Sequence, residues 1–345
     1  MRLIQRIPQV EELCGKYSIS KEEQKKRENL LSEIRKILAG KSEKKIIIIG
    51  PCSADREDAV VEYVYLLAEL QNRVKDRFLL IPRVYTGKPR TRGDGYKGML
   101  HRPKPSSRHD DLVSGIIAVR ELHQHIIKET GMYAADELLY PGLCSYVSDL
   151  LIYMAVGARS VEDQEHRLAA SSLDIPVGMK NPSSGDISVM LNAVSAAQQG
   201  HRILVNGWEA QTDGNKYAHA ILRGYVNTAG ESVPNYYYEN LIKLHDHYCR
   251  QNLRNPSVII DCNHSNSNKH YMEQCRIAED VFDSCRRNKS INQLVKGLMI
   301  ESYLEDGAQL IGEDVYGKSI TDPCLGWKRT ESLIVGLQDK IAGYM

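Results

Sequence analysis

Short apolar runs alternate along this chain with amphipathic helical patterns, and this alternation limits its fold more than any other feature. Nine runs are candidate strands, at 44–53, 77–85, 133–139, 154–160, 175–181, 201–206, 220–224, 257–264 and 295–302. The first contains KKIIIIG, an unbroken apolar stretch typical of a strand that is buried on both faces of a parallel sheet. Helical patterns lie between most runs, for example at 58–74, 114–129, 146–154 and 238–251. This arrangement predicts a parallel α/β fold, and about eight such units predict a (β/α)8 TIM barrel.

Nine candidate strands are one more than such a barrel needs. No helical pattern separates 201–206 from 220–224. The intervening NGWEAQTDGNKYAH contains Asp213-Gly214, a dipeptide typical of tight hairpin turns. We therefore predict a β-hairpin inserted at strand six of the barrel, at about residues 201–218.

The part of the chain before the first strand is predicted to lie outside the barrel. Residues 1–43 are expected to form an N-terminal arm and helix, and residues 44–345 to form the catalytic barrel. The helix is predicted over 20–39, with Ser20 as N-cap and Glu23 three residues later.

Composition excludes several classes of function. Lys and Arg number 45 against 44 Asp and Glu, a net charge of +1, so no global field draws the chain to nucleic acid or to a membrane surface. There is no run of about eighteen apolar residues that would predict a membrane span, and the first residues lack the apolar core of a secretion signal. The eight cysteines form no CxxC pair, which favours a reduced, cytoplasmic protein. We expect neither a nucleic-acid partner nor a membrane partner.

Polar or ionisable residues follow every predicted barrel strand, at the end where barrel enzymes build their active sites. In chain order they are Cys52, Arg83, Glu137, Arg159, Lys180, Arg223, His264 and Glu301, with Lys88 and Arg90 soon after Arg83 and Asp322 in a later loop. Each alone has an ordinary structural explanation, such as a surface ion pair, a packed thiol or a hydrogen-bonded imidazole. Their recurrence at the same end of the strands predicts a functional site.

These residues divide into two chemical groups. The cations are Arg83, Lys88, Arg159, Lys180 and Arg223. Because guanidinium groups bind phosphate and carboxylate, so many cations predict a substrate with several negative charges, such as a small phosphorylated acid. The second group is Cys52, His264, Glu301 and Asp322. A thiolate, an imidazole and two carboxylates suit a borderline divalent metal better than Mg²⁺ or Ca²⁺, and such an ion would act as a Lewis acid on a carbonyl.

The same residues lie in a set of motifs that is specific in combination. The motifs are GPCS (50–53), RVYTGKPRT (83–91), YKG (96–98), GAR (157–159), VGMKN (177–181), ILRG (221–224), IDCNHSNSNK (260–269), ES (301–302) and YGKSITDPCLGW (316–327). In these motifs the chain closely resembles the class I, type Iα (enteric-like) 3-deoxy-D-arabino-heptulosonate 7-phosphate (DAHP) synthases, over residues 6–343. The resemblance implies a transferase that condenses phosphoenolpyruvate with erythrose 4-phosphate and water, giving DAHP and phosphate. This is the first step of the shikimate pathway to chorismate and the aromatic amino acids.

The resemblance also implies a role for each matching residue. The metal ligands would be Cys52, His264, Glu301 and Asp322, around Mn²⁺, Fe²⁺, Co²⁺ or Zn²⁺. Arg159 and Arg223 match the clamp on the phosphate of phosphoenolpyruvate, and Arg83, Lys88 and Lys180 match the groups around its carboxylate and reacting carbon. Arg90 and Thr91 match the erythrose 4-phosphate site, and Lys97 in YKG is a further substrate-binding candidate. Besides His264, the catalytic candidates are Lys88, Glu137 and Lys180. Lys88 would donate a proton, with a pKa lowered by the surrounding positive charge, and Glu137 with Lys180 would position the water.

The chain departs from the family pattern in places. Pro182 stands where the family usually has Gly, and Pro323 where it has a small residue. The hairpin is several residues shorter than in enteric relatives, where it helps to form the site at which an aromatic amino acid inhibits. The shorter hairpin argues against such inhibition here, so an aromatic amino-acid inhibitor is only a possible partner, and the sequence does not identify the effector. A homodimer or homotetramer is implied by the resemblance, although an N-terminal helix packed on its own barrel explains the arm equally well.

Three alternatives stay open at this point. A 3-deoxy-D-manno-octulosonate 8-phosphate synthase uses the same donor, but it would carry KANRSS where this chain has KPRT. A different acceptor aldehyde is compatible with the barrel fold, because a fold alone does not determine the substrate. A non-catalytic paralogue predicts the loss of a metal ligand or a cation, and none is missing from the motifs.

Overall fold

The computed structural model describes residues 1–90, 93, 95–107, 109–205 and 207–342 of the chain. The helices are α1 Val10–Lys16, α2 Lys21–Leu38, α3 Glu57–Val74, α4 Leu112–Thr130, α5 Gln164–Ser172, α6 Ile187–Ala197, α7 Tyr238–Gln251, α8 Glu273–Arg287, α9 Lys289–Leu294 and α10 Trp327–Ala342. The strands are β1 Lys45–Gly50, β2 Phe78–Pro82, β3 Ala134–Glu137, β4 Leu151–Val156, β5 Val177–Lys180, β6 Arg202–Val205, β7 Trp208–Gln211, β8 His219–Leu222, β9 Tyr225–Val226, β10 Ser232–Val233, β11 Val258–Asp261 and β12 Val295–Glu301.

Eight of these strands form one parallel sheet, in the order β2-β1-β12-β11-β8-β5-β4-β3. The two outer strands meet through a parallel bridge between Arg83 and Ala135, where the Val84 amide donates to the Ala135 carbonyl at 2.9 Å. The sheet therefore closes almost completely into the predicted (β/α)8 barrel. Every position of β1 is buried, which explains why its sequence is KIIIIG and does not alternate with polar residues.

The register of the strands brings the carboxyl ends of β12, β1 and β2 together. Gly50 is paired with Glu301 at the end of β1 and β12. A Cβ atom at Gly50 would lie 2.3 Å from the carbonyl oxygen of Arg83, so only glycine allows this approach. The side chains that follow these three strands consequently converge at one end of the barrel.

The ninth candidate strand, 201–206, is not part of the barrel. The hairpin predicted within 201–218 is present, but it consists of β6 and β7 in an antiparallel pair. Its turn includes Gly207, with a φ of +82°, whereas the predicted turn residues Asp213-Gly214 come after β7. The sixth barrel strand is β8, which is buried at all four positions, while the hairpin strands are largely exposed.

The helix predicted over 146–154 is wrong. Two short 3₁₀ turns, Pro141–Tyr146 and Ser148–Leu150, are followed at once by β4. All six residues of β4 are buried, so burial on both faces in the barrel wall outweighs the helical spacing of its apolar residues.

The N-terminal helix α2 packs against its own barrel. Its N-cap is Ser20, in a capping box with Glu23 as predicted. Arg27 Nε donates at 2.8 Å to the carbonyl of Leu151, the first residue of β4. Ser257, just before β11, donates from Oγ at 2.9 Å to the Leu38 carbonyl. The helix thus covers the amino ends of the strands, opposite the end where the charged residues gather. None of the described helices has both the length and the apolar character that a membrane span needs.

Candidate active site

A cavity of about 160 Å³ opens at the carboxyl ends of the barrel strands. Its lining contains nine of the residues predicted from the sequence: Arg83, Lys88, Arg90, Glu137, Arg159, Lys180, Arg223, His264 and Asp322. Tyr85, Ser183 and Lys269 also line it. Segments from seven strands therefore meet around one small space rich in positive charge.

Beside this cavity, three predicted metal ligands lie close together. One ligand atom from each of Cys52, Glu301 and Asp322 lies within 4.8 Å of the others. The fourth predicted ligand, His264, is adjacent, with Nε2 at 3.9 Å from Oε1 of Glu301. A thiol, two carboxylates and a neighbouring imidazole are a donor set that fits a borderline transition metal ion. The residues present are therefore compatible with the metal dependence that the resemblance implies.

Neighbouring side chains hold these groups in position. Nδ1 of His264 is hydrogen-bonded to Oδ1 of Asp261 at 3.1 Å and lies 2.9 Å from Oδ2 of the same carboxylate, and this leaves Nε2 directed toward Glu301. Asn263 Nδ2 donates to Glu301 Oε2 at 2.6 Å, and Lys269 Nζ donates to Asp322 Oδ1 at 2.9 Å. Burial raises the pKa of Asp261, but His264 and the Lys180 and Arg223 cations outweigh it and hold this pKa well below its usual range. Partners of this kind typically orient metal ligands.

Lys88 connects the cation group with the metal-ligand group. Its Nζ lies 2.6 Å from Sγ and 3.2 Å from the carbonyl oxygen of Cys52. Burial lowers the pKa of Lys88, but the nearby Cys52, Glu301 and Asp322 outweigh burial and raise this pKa above its ordinary value. The expectation of a lowered pKa is therefore wrong for this arrangement, because the effect of Cys52, Glu301 and Asp322 outweighs burial and the Arg83 cation.

Arg83 is almost completely buried, with 1% of its surface exposed. Its Nη2 donates to Glu301 Oε1 at 2.9 Å, and its Nη1 donates to the Pro51 carbonyl. Its Nε has no hydrogen-bond partner in the described part of the chain. A buried donor without a partner is costly, and Arg83 lines the cavity, so this nitrogen is a candidate contact for an anionic ligand.

Arg159 and Arg223 face the cavity without an acidic partner. No hydrogen bond or ion pair of either guanidinium group is found among residues 1–90, 93, 95–107, 109–205 and 207–342. Burial lowers the pKa of Arg223, and Arg159 lowers it further, although Asp261 opposes both effects. Two guanidinium groups that line one cavity and repel each other have the chemistry that suits a dianion such as phosphate.

Glu137 and Arg90 also line the cavity. The Glu137 carboxylate lies against Gly157, where a Cβ atom would be only 2.6 Å from Oε1. Arg90 Nε donates to the Tyr96 carbonyl at 2.8 Å, and this bond fixes the loop after β2. Thr91 lies outside the described residues. Lys97 is not in the lining of the cavity, and its Nζ lies 2.5 Å from Oδ2 of Asp110.

Sequence reasoning assigned no role to four residues that build the site: Tyr85, Asp261, Asn263 and Lys269. All four lie in the motifs RVYTGKPRT and IDCNHSNSNK. A signal was therefore present, since Asp261 ends a buried strand and Lys269 follows a run of polar residues. Their partners come from distant segments, however, and no spacing in the sequence reveals them.

A parallel barrel with a cation-lined cavity and a thiol–carboxylate cluster at the carboxyl ends of its strands is the architecture of a barrel enzyme for small, multiply charged anions. A model of the DAHP synthetase I family matches residues 16–334. The chain belongs to this family, and the prediction of a class I DAHP synthase is confirmed.

Individual relatives agree with this assignment. The Tyr-sensitive phospho-2-dehydro-3-deoxyheptonate aldolase of Escherichia coli K12 is 34% identical over 344 residues, which cover 97% of this chain and 93% of the relative. The Trp-sensitive enzyme of Buchnera aphidicola from Schizaphis graminum is 36% identical over 341 residues, with coverages of 96% and 93%. Among solved structures, the corresponding aldolase from Francisella tularensis SCHU S4 matches with a TM-score of 0.91 at 29% identity, over 100% of this chain and 99% of that one.

Proposed function

We propose that this enzyme condenses phosphoenolpyruvate with erythrose 4-phosphate and water, giving DAHP and phosphate, with the residues of the cavity in the roles given below. One observation carries the proposal. The cations Arg83, Lys88, Arg159, Lys180 and Arg223 converge on one cavity beside the Cys52, Glu301 and Asp322 cluster. Such a site suits two anionic substrates, one of which also presents a carbonyl oxygen.

Phosphoenolpyruvate would be held at both of its charged ends. Its phosphate would lie between Arg159 and Arg223, whose guanidinium groups have no acidic partner in the described chain. Its carboxylate would accept from Arg83 Nε, which lacks a protein acceptor, and from Lys180. Erythrose 4-phosphate would lie toward Arg90 and Thr91, and the motif match adds Lys97. Binding both anions in one place removes the entropic cost of their encounter.

The metal would be held by Cys52, Glu301, Asp322 and His264, with Asp261, Asn263 and Lys269 orienting these ligands. A divalent transition ion bound there supplies Lewis acidity toward the aldehyde oxygen. The mixed sulfur, nitrogen and oxygen donors are compatible with Mn²⁺, Fe²⁺, Co²⁺ or Zn²⁺.

Carbon 3 of phosphoenolpyruvate attacks the aldehyde carbon, and Lys88 gives a proton to the aldehyde oxygen. Positive charge develops at carbon 2, where water adds. Glu137 at the end of β3, with Lys180 at the end of β5, would orient this water and accept its proton. The resulting tetrahedral intermediate expels phosphate by cleavage of its C–O bond, and the reaction is then balanced as one water consumed and one phosphate released.

The proposal extends to regulation and assembly. The two curated relatives described above are named Tyr-sensitive and Trp-sensitive, so an aromatic amino acid is the inhibitor class to test. A homodimer or homotetramer is proposed from the motif resemblance, and a cytoplasmic location from the scattered cysteines. The division into an arm over 1–43 and a catalytic barrel over 44–345 is proposed from the order of predicted helices and strands. Light scattering of the purified chain measures the subunit count directly.

The deciding experiment is a turnover assay with metal-stripped protein, phosphoenolpyruvate and erythrose 4-phosphate, following the loss of enol absorbance with and without Mn²⁺. We expect metal-dependent turnover, and no turnover when arabinose 5-phosphate replaces erythrose 4-phosphate. Turnover of arabinose 5-phosphate alone would instead support the octulosonate 8-phosphate reaction. Titration of Phe, Tyr and Trp into the active enzyme then identifies the inhibitor.

A further inference from the structure

Two cations of the cavity, Arg83 and Lys180, are buried without an acidic partner of their own. Arg83 is 1% exposed and Lys180 is 3% exposed. The partner of Arg83 is Glu301, which also accepts from Asn263 and belongs to the metal-ligand cluster. Lys180 Nζ lies 3.5 Å from Oδ2 of Asp261, the same atom that lies 2.9 Å from His264 Nδ1. Each carboxylate is therefore shared with the metal-ligand residues, and it compensates the cation only in part.

The aromatic ring of Tyr85 contacts both cations. The Arg83 guanidinium carbon lies 3.7 Å from the ring centroid, and the Lys180 ammonium lies 5.5 Å from it. These distances fall within the range of cation–π attraction, which strengthens when the partners are removed from water. Tyr85 is itself 1% exposed, so the whole group is desolvated.

The sequence explains how the ring reaches this position. Arg83 and Tyr85 are two residues apart in the extended segment that continues β2, so their side chains point to the same side of the chain. Val84 between them pairs by its amide with Ala135. Among the described residues, the one acceptor of the Tyr85 hydroxyl is the Met299 sulfur, at 3.6 Å, and a thioether sulfur is a weak acceptor. The ring face, rather than the hydroxyl, is the part of Tyr85 that serves the site.

We propose that Tyr85 is a positioning residue for the donor substrate: its ring face holds Arg83 and Lys180 in the orientation that binds the phosphoenolpyruvate carboxylate. This inference rests on the proposed function for the identity of the ligand. The ring acts through the two cations, and it stabilises their positive charge without competing with the substrate as a carboxylate would. A second anion at this place would neutralise the cations and weaken the binding of an anionic substrate.

The test replaces Tyr85 with phenylalanine and then with 4-fluoro-, 3,5-difluoro- and 3,4,5-trifluorophenylalanine. Ring size changes little in this series, while the negative potential of the ring face falls stepwise. The dissociation constant of phosphoenolpyruvate is measured by calorimetry without erythrose 4-phosphate. Tyr85→Phe should bind within about twofold of the wild type, and the trifluoro variant about tenfold more weakly, because one cation–π contact at a buried site is of that size. A constant affinity across the series overturns the inference.

Phe78 provides the matched control. It is the first residue of β2, the strand that the Tyr85 segment continues, and it is buried and packs against Phe282 with ring centroids 6.0 Å apart. Fluorination of Phe78 should leave phosphoenolpyruvate affinity unchanged, and an equal loss there would show that the effect at Tyr85 is general packing. Turnover of the wild type and Tyr85→Phe with both substrates is recorded in parallel. Absence of turnover in both refutes the proposed function, whereas turnover with a flat binding series refutes only the role of Tyr85.

Discussion

The ammonium nitrogen of Lys88 lies 2.6 Å from the sulfur of Cys52. Lys88 also lines the cavity that holds the other cations, while Cys52 belongs to the cluster with Glu301 and Asp322. One side chain thus lies at the boundary between the anion-binding residues and the metal-binding residues. In the proposed reaction, this position makes Lys88 the candidate proton donor to the aldehyde oxygen.

Replacement of Lys88 by methionine should therefore abolish most of the chemistry and spare donor binding. Loss of a positioned proton donor typically lowers kcat by about 10²- to 10⁴-fold, while Arg159 and Arg223 remain to bind phosphoenolpyruvate. Steady-state kinetics together with calorimetric phosphoenolpyruvate binding separate the two effects. The exposed Lys104 serves as control, since Lys104→Met should change neither quantity. Full turnover by Lys88→Met would refute the proposed role.

Replacement of Cys52 by alanine should weaken metal binding. Cys52 and Cys262 both follow a barrel strand and both are fully buried, but only Cys52 belongs to the ligand cluster. We expect the Mn²⁺ dissociation constant, measured by paramagnetic resonance titration, to rise at least about tenfold in Cys52→Ala, because even residues that only orient metal ligands have effects of this size. Cys262→Ala should bind Mn²⁺ like the wild type. Equal losses in both variants would indicate a general effect of an emptied thiol site.

Replacement of Arg159 by lysine tests the phosphate clamp. Lysine keeps the charge but loses the planar fork that binds two phosphate oxygens. We expect KM for phosphoenolpyruvate to rise about tenfold in Arg159→Lys and about 100-fold in Arg159→Ala, as is usual for hydrogen bonds to charged groups. The inhibition constant of inorganic phosphate should rise in the same proportion, while KM for erythrose 4-phosphate changes little. The exposed Arg250 is the control position. An unchanged phosphate inhibition constant would place the phosphate elsewhere.

Much of the fold could be predicted from the sequence, because a strand that is buried on both faces has a nearly unbroken apolar sequence. The run KIIIIG becomes β1, and YENLIKLHDHYCRQ becomes α7 over its full predicted length, Tyr238–Gln251. The helix predicted over 146–154 was wrong for a physical reason. The apolar residues of this segment recur at helical spacing: Val147, Leu150, Leu151 and Met154. The same apolar residues also suit a strand inside a barrel wall, and local periodicity cannot separate these two environments.

The candidate site, like the fold, could be predicted only in part from the sequence. Ionisable residues at strand ends could be recognised because a barrel brings all such ends to one face. Contacts between side chains from distant segments could not be predicted. Lys269 and Asp322, for example, are 53 residues apart in the chain. The predicted direction of the Lys88 pKa shift was wrong for the same reason. The sequence shows many cations near Lys88, but only the fold shows that Cys52, Glu301 and Asp322 outweigh burial and the Arg83 cation in their effect on this pKa.

Two buried histidines should both make the fold sensitive to acid, but they differ in their hydrogen bonds. Burial lowers the pKa of His123 and of His219 to about 4, and the nearby Arg120 contributes to the shift of His123. His219 is hydrogen-bonded to the Tyr153 hydroxyl and the Tyr217 carbonyl, whereas neither ring nitrogen of His123 has a partner in the described chain. Since the unfolded chain binds protons from about pH 6.5 downward and the folded histidines do not, stability should be lost as pH falls from about 6.5 to 4.

Urea unfolding at pH 8 and pH 5 checks this difference. His123→Leu should be neutral or stabilising at pH 8, because it removes a buried polar group without partners, and it should reduce the loss at acid pH. His219→Leu should cost about 2–4 kcal/mol already at pH 8, since it leaves the Tyr153 hydroxyl and the Tyr217 carbonyl unpaired. Comparable destabilisation by both substitutions at pH 8 would contradict the assignment of hydrogen bonds.

Addition of one methyl group at Gly157 should displace the Glu137 carboxylate. A Cβ atom at this position would lie 2.6 Å from Glu137 Oε1, so the flexible carboxylate must move while the barrel wall stays in place. We expect kcat of Gly157→Ala to fall about 100-fold, a usual effect of displacing a catalytic group by about 1 Å, with phosphoenolpyruvate affinity retained. Combination with Glu137→Asp shortens the side chain and should recover part of the loss. Gly142 has no atom within 4 Å of an added Cβ, so Gly142→Ala is the matched control. Undiminished turnover by Gly157→Ala would show that the orientation of Glu137 does not matter for the addition of water.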